Sequence, residues 1–210
     1  MKKYIYILSL LTYLFTSPAK AQEMRTIFIE MPDSVIPLLT HSNRADCVDF
    51  LDAKMRARVT NRLDGHSELL QLTTDYLKMQ LTDHTSLQMK LLPRTSGDTI
   101  ICMVKTVCAE ACDSRIQFYT KKWQQISPCT KLFNKPRIKD FFTNDNSLEK
   151  ILRIADIYLV ELTLSPLQTT INANYTMPAY MSHEDSTFVT KSMHPIEYQW
   201  TGKRFEPTGK

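Results

Sequence analysis

Two hydrophobic periods alternate along the chain and set out its elements. Apolar residues run almost unbroken from Tyr4 to Phe15, between the basic start Met1-Lys2-Lys3 and Ser17-Pro18. Met24 to Met31 is a shorter apolar segment. Pro32-Asp33-Ser34 then offers a helix start that Pro37 limits to little more than a turn. From Arg44 to Lys54 the positions Ala45, Val48, Leu51 and Met55 follow the helical step, with Ser42 or Asn43 as cap.

The period then falls to two. Arg56–Leu63 alternates, with Ala57, Val59 and Leu63 towards one side, and Asp64-Gly65 is a tight turn in which glycine accepts positive φ. Leu69–Thr74, Tyr76–Thr82 and Ser86–Leu92 read as strands. The last sets Leu87, Met89 and Leu91 against Gln88 and Lys90. Pro93–Gly97 is a loop, Thr99–Val107 a central strand, and Ser114–Gln124 another strand. Ser127–Pro136 reads as a linker or crossover. Ser147 starts a third helix with Leu148, Ile151, Leu152 and Ala155 inward. Ile157–Leu164 and Thr169–Thr176 look extended, and Met177–His194 irregular, with Thr187–Thr190 available to pair. Pro195–Pro207 makes two short strands about Thr201-Gly202-Lys203. The prediction is an α+β protein: an antiparallel β meander with two or three helices packed on one face. The helix-then-strands order occurs twice, as in a degenerate repeat. Residues 22–210 read as one domain, with a subdomain boundary near 127–146.

Ala19-Lys20-Ala21 places small residues where signal peptidase needs them, so residues 1–21 are expected to be a signal peptide cleaved before Gln22. That implies a periplasmic or secreted protein without a transmembrane segment after cleavage; no later apolar run approaches the roughly twenty residues of a span. The formal charge is +4. Removing Lys2, Lys3 and Lys20 leaves 23 cationic against 22 acidic side chains, or +1. The densest basic window, Lys131, Lys135, Arg137 and Lys139, reads as a solvated loop, so no nucleic-acid partner is expected.

Only four glycines are present, and no G-x-G-x-x-G or P-loop pattern occurs. G-x-S-x-G is also absent. Gly65-His66-Ser67 reads as a turn exit, because triad members converge from separate segments. Asp46, Asp49 and Asp52 read as a solvated helix face. His183-Glu184-Asp185 with His194 has no specific metal spacing. No catalytic, metal or cofactor-binding residue is assigned. The five cysteines, Cys47, Cys102, Cys108, Cys112 and Cys129, read mainly as reduced or buried thiols, although Cys108 and Cys112 are spaced to bridge a bend. The six C-terminal aromatics, Tyr175, Tyr180, Phe188, Tyr198, Trp200 and Phe205, suit a core. Tyr198 and Trp200 share one sheet face and are the candidate ligand-stacking pair. Asn174-Tyr175-Thr176 fits a glycosylation acceptor.

Met31-Pro32-Asp33-Ser34, Val59 to Gly65, Leu72 to Leu77, Met89 to Pro93 and Ile101 to Val104 resemble an uncharacterised family of exported proteins from gut-dwelling anaerobic bacteria, domain of unknown function 3256. The resemblance covers most of the mature chain and assigns no chemistry. It implies that Asp33-Ser34-Val35 and Asp98-Thr99-Ile100 match the O-glycosylation pattern of such bacteria. The leading expectation is a non-enzymatic binding or structural protein with a protein or glycan ligand. The alternatives are a hydrolase-like enzyme with carboxylates gathered from separate segments, and a sugar-binding module.

Overall fold

A computed structural model of the chain describes residues 23–143 and 147–209. The expected signal segment, Met1 to Ala21, lies outside the described residues. The order is α1 (Glu23–Ile29), α2 (His41–Asp52), β1 (Arg58–Thr60), β2 (His66–Leu72), β3 (Tyr76–Thr82), β4 (Thr85–Pro93), β5 (Thr99–Cys108), β6 (Cys112–Thr120), α3 (Leu148–Ile154), β7 (Val160–Leu164), β8 (Thr170–Tyr175), α4 (His183–Thr190), β9 (Ile196–Trp200) and β10 (Phe205–Pro207). The first six strands form an antiparallel meander whose spatial order is its chain order, and the rest form a second sheet ordered β10-β9-β8-β7. This is an α+β fold.

The meander is covered on both faces. Helices α1 and α2 bury Met24, Phe28, Cys47 and Val48 against Leu77, Met79, Leu87, Met89, Ile101 and Met103. Ile100, Cys102, Val104, Ile116 and Phe118 point the other way, against Leu162, Ile171, Tyr198 and Phe205 of the second sheet. Strand alternation therefore sends the unbroken run Ile100–Val104 into two cores. Covering both faces also buries the side expected to be polar and wet: Gln88 is 6% and Lys90 1% exposed.

The second sheet is seated through an unusual edge. Val160 N donates to Asp113 Oδ1 (3.3 Å), Leu162 N to Ser114 Oγ (2.9 Å) and Leu164 N to Gln88 Oε1 (2.9 Å). The outer N–H groups of β7 are thus satisfied by side chains of β6 and β4, whose faces β7 crosses. Ser114 Oγ also bonds Thr106 Oγ1 (2.8 Å), and Tyr76 donates to Gln88 (3.4 Å). Lys90 Nζ reaches Pro166 O and Asp75 Oδ2, both at 2.9 Å, and Trp200 Nε1 donates to Pro93 O (2.6 Å).

Several local expectations are corrected. Helix α2 starts at His41. Thr40 caps it, and Asn43 closes the capping box from the third helical position. Met55 is 59% exposed and Leu63 78%, because both fall beyond an element end. Arg44 fills the inner face of α2. It is buried and donates to Ile29 O (3.2 Å), Leu39 O (2.8 Å), Met31 O and Asp33 Oδ1 (3.1 Å). Residues 183–190 are helical, with Ser182 accepting from Asp185 N (3.2 Å) and Val189 in the core. In the Asp64-Gly65 turn it is Asp64 that takes positive φ, at 57°. The essential glycine is Gly202: its φ is 85°, and a Cβ there would sit 2.7 Å from Thr95 Cγ2. Cys108 and Cys112 face each other across the β5–β6 hairpin and form a disulfide.

Two outcomes follow. Gln88→Leu leaves Leu164 N–H and the Tyr76 hydroxyl without their acceptor, and Arg44→Ala strips three carbonyls and a carboxylate of their donor. Each is expected to cost about 2 kcal/mol or more in urea unfolding, whereas exposed Arg115→Gln stays near wild type. Hydrogen bonds from Arg44, Arg25 and Arg56 hold Asp33, Asp52 and Glu68 below their usual range. A lowered folded pKa contributes stability above the unfolded value of about 4, and that stability is lost as pH falls through the folded value. The urea midpoint is therefore expected to hold from pH 7 to about pH 5 and to fall below about pH 4; a rise on acidification contradicts this.

Candidate functional site

A cleft of about 690 Å³ lies beside β6 and is lined by Asp113, Ser114, Arg115 and Ile116 on one side and by Cys129, Thr130, Phe133, Asn134 and Lys135 on the other. Successive strand side chains point to opposite faces. A cleft lined by four consecutive residues therefore follows the edge of the strand.

The backbone pattern gives that edge its chemistry. Ile126 N donates to Phe118 O and Thr120 N to Gln124 O, both at 2.9 Å. Cys112 N donates to Thr176 Oγ1 (3.2 Å), which donates back to Cys112 O (2.6 Å). Cys112, Phe118 and Thr120 thus turn their backbone groups outward. Ser114 and Ile116 share their parity and do the same. Among the described residues nothing pairs with these two N–H and two C=O groups. The strand edge is paired at both ends and unpaired between them, where Ser114 is 2% and Ile116 5% exposed.

The far wall is held rigidly. Cys129–Lys131 is a single 3₁₀ turn. Phe205 N donates to Leu132 O (2.7 Å), and the Phe133 ring meets Tyr198 edge-on at 5.0 Å. The Asn134 amide lies between Thr130 O (2.8 Å) and Arg204 Nη2 (2.7 Å), and turned to face them it donates to the first and accepts from the second. Lys135 Nζ lies 5.5 Å over the Tyr158 ring. Burial pushes the Tyr158 hydroxyl up to about 12. Cys129 is a free, half-buried thiol. Arg115 faces Lys105 across the strand pair, and among the described residues neither is in a salt bridge.

A second cleft of about 560 Å³ gathers Arg137, Asp140, His194, Glu197, Tyr198 and Thr208. Its carboxylates are engaged. Arg137 donates to Asp140 from its backbone N (2.8 Å), Nη2 (3.1 Å) and Nε (3.3 Å). Burial pushes Asp140 up, but these bonds outweigh it and the group ends below its usual range. Thr208 Oγ1 reaches Glu197 Oε1 at 3.4 Å.

The residues singled out from the sequence disperse. Tyr198 and Trp200 are each 6% exposed, and both pack on core rings, so neither offers an open face for stacking. Ser67 is buried and donates to Leu81 O (2.7 Å), while neighbouring His66 points to the opposite, exposed face of β2. Burial pushes the Cys47 thiol up to about 11, an inert value. Asp52 pairs with Arg25 at 2.5 Å. His183, Glu184 and Asp185 sit on the first turn of α4, and His194 lines the second cleft. Cys108, Cys112 and Glu161 are close enough to share a metal ion, but the disulfide leaves no thiolate there. The β6 edge had no sequence signal beyond ordinary alternation.

Two antiparallel sheets, with α1 and α2 on one face of the meander and α3 and α4 packed into the core of the second sheet, define an α+β protein with no recognised catalytic motif. The chain belongs to the family described as protein of unknown function (DUF3256), whose model matches residues 16–205. It is similar to the solved structure of a domain of an uncharacterized protein from Porphyromonas gingivalis W83. The two share 25% identity and a TM-score of 0.78 over 90% of this chain and 100% of that one. No curated protein matches the sequence.

Thiol accessibility tests the cysteine assignment. Native protein is expected to react with a thiol reagent chiefly at Cys129. Denatured, unreduced protein should show three thiols, and reduced protein all five. Five thiols without reduction contradicts the disulfide.

Proposed function

We propose that this is an exported, non-enzymatic protein that binds another polypeptide. The observation that carries the reading is the cleft beside β6, where Arg115, Asn134 and Lys135 surround a strand edge whose Ser114 and Ile116 backbone groups have no partner among the described residues. Export is supported by the basic-then-apolar start with Ala19-Lys20-Ala21, and a disulfide suits an oxidising compartment. The competing reading is a hydrolase using Asp140 and Glu197 in the second cleft. General acid catalysis needs a group whose pKa is raised towards neutrality, and Asp140 is held below its usual range.

Expression of the full chain in a bacterial host is expected to deliver a periplasmic protein whose first residue is Gln22; a protein retaining Met1 overturns the export part. No turnover of peptide, ester or glycoside substrates is expected. Turnover abolished by Asp140→Asn or Glu197→Gln overturns the non-enzymatic part.

A further inference from the structure

The tip of the β5–β6 hairpin gathers three groups with the chemistry of metal ligands. Cys108 and Cys112 face each other at the last pair of the two strands, and Cys108 N turns away to His84 O (2.9 Å). The two cysteines therefore occupy a non-hydrogen-bonded position, where side chains stand closest. Glu161 of β7 brings its carboxylate to the same place. One of its oxygens and the two Sγ atoms all lie within 4.8 Å of one another, and all three residues are half-buried. Among the described residues the Glu161 carboxylate is in no salt bridge. We propose that the reduced hairpin holds one thiophilic divalent cation of the zinc class between Cys108, Cys112 and Glu161, and that this ion and the disulfide are alternative states of one site.

Bonds that do not involve the sulfurs place the three ligands. Thr176 Oγ1 ties both backbone groups of Cys112 (3.2 and 2.6 Å) and lies 3.3 Å from Leu159 O. Val160 N donates to Asp113 Oδ1 (3.3 Å), which joins the neighbour of Glu161 to the neighbour of Cys112. The disulfide closes only the loop Ala109-Glu110-Ala111, so its removal releases little chain entropy. The scaffold therefore outlasts reduction. Neighbouring ligand atoms of a tetrahedral zinc ion stand roughly 3.5–3.8 Å apart, a spacing the three side chains reach by turning about their own bonds, with water in the fourth position. Two thiolates and a carboxylate suit a soft or borderline ion, whereas calcium and magnesium take oxygen ligands. A dithiol reductant opens the site by two exchanges: the Cys108–Cys112 bond breaks, the reductant's two sulfurs form a disulfide, and the two cysteines are left as thiols. Both thiols then release their protons as two metal–sulfur bonds form.

The test uses the mature protein carrying Cys129→Ser, which removes the half-buried thiol outside the site; Cys47 and Cys102 are fully buried. The protein is reduced with dithiothreitol, freed of it without oxygen, and titrated with cobalt(II) alone. The expected result is one cobalt per chain, with thiolate-to-cobalt charge transfer and the intense visible bands of a tetrahedral site, displaced by zinc(II) and missing from the oxidised protein. Glu161→Gln should weaken binding tenfold or more, and Cys112→Ser should abolish the charge transfer. Glu110→Gln, on the exposed hairpin loop, should leave both unchanged. Zinc-loaded protein should keep its two thiols through treatment with oxidised glutathione, while zinc-free protein returns to the disulfide. No thiolate charge transfer in the reduced protein, the same bands in the oxidised protein, equal affinity in Glu161→Gln, or loss of near-ultraviolet circular dichroism on reduction overturns the proposal.

Discussion

The edge of β7 is the constraint on which the structure turns. A strand edge pressed against a protein core cannot leave its N–H groups bare, since each unpaired group retains its full desolvation cost. Here Asp113, Ser114 and Gln88 supply the missing acceptors from the faces of β6 and β4. These bonds fix where the second sheet lies, and the apolar side chains around them fill the space so defined. Lys90 extends the same logic, with its ammonium group carried across the layer to Pro166 O and Asp75.

The opposite face of the meander is organised around Arg44. Its guanidinium gathers carbonyls from the end of α1 and the turn that follows, while Asp33 and Arg62 continue the network to the surface. Both faces of the meander therefore rely on buried polar side chains whose partners are mostly backbone groups of distant segments. Such networks specify one arrangement because a shifted layer leaves its donors and acceptors unmatched.

The seam also accounts for the cleft. β7 crosses the face of β6 rather than continuing the sheet from its edge. Thr176 and the Gln124–Ile126 segment close the two ends of that edge, and the segment from Cys129 to Lys135 stands off from its middle. A strand capped by side chains on one sheet thus leaves a strand unpaired on the other, and the cleft follows from the way the two sheets are joined.

The sequence by itself determined the meander, the positions of most strands and the α+β class, because alternation and turn chemistry are local signals. It also carried the family likeness and the Cys108–Cys112 spacing. Tertiary structure alone decided which polar residues are wet. Gln88 and Lys90 read as solvent-facing, yet become core side chains once a second layer covers them, and Arg44, at the start of the predicted helix, is buried as well. Residues 183–190 had no clear helical period, and their helix depends on the Ser182 cap and on Val189 reaching the core. Tyr198 and Trp200 look alike as exposed stacking rings or as core rings until Phe133 and Pro93 are placed beside them. The β6 edge had no signature at all, since a backbone N–H is open or paired according to what lies next to it, and that neighbour comes from a distant part of the chain.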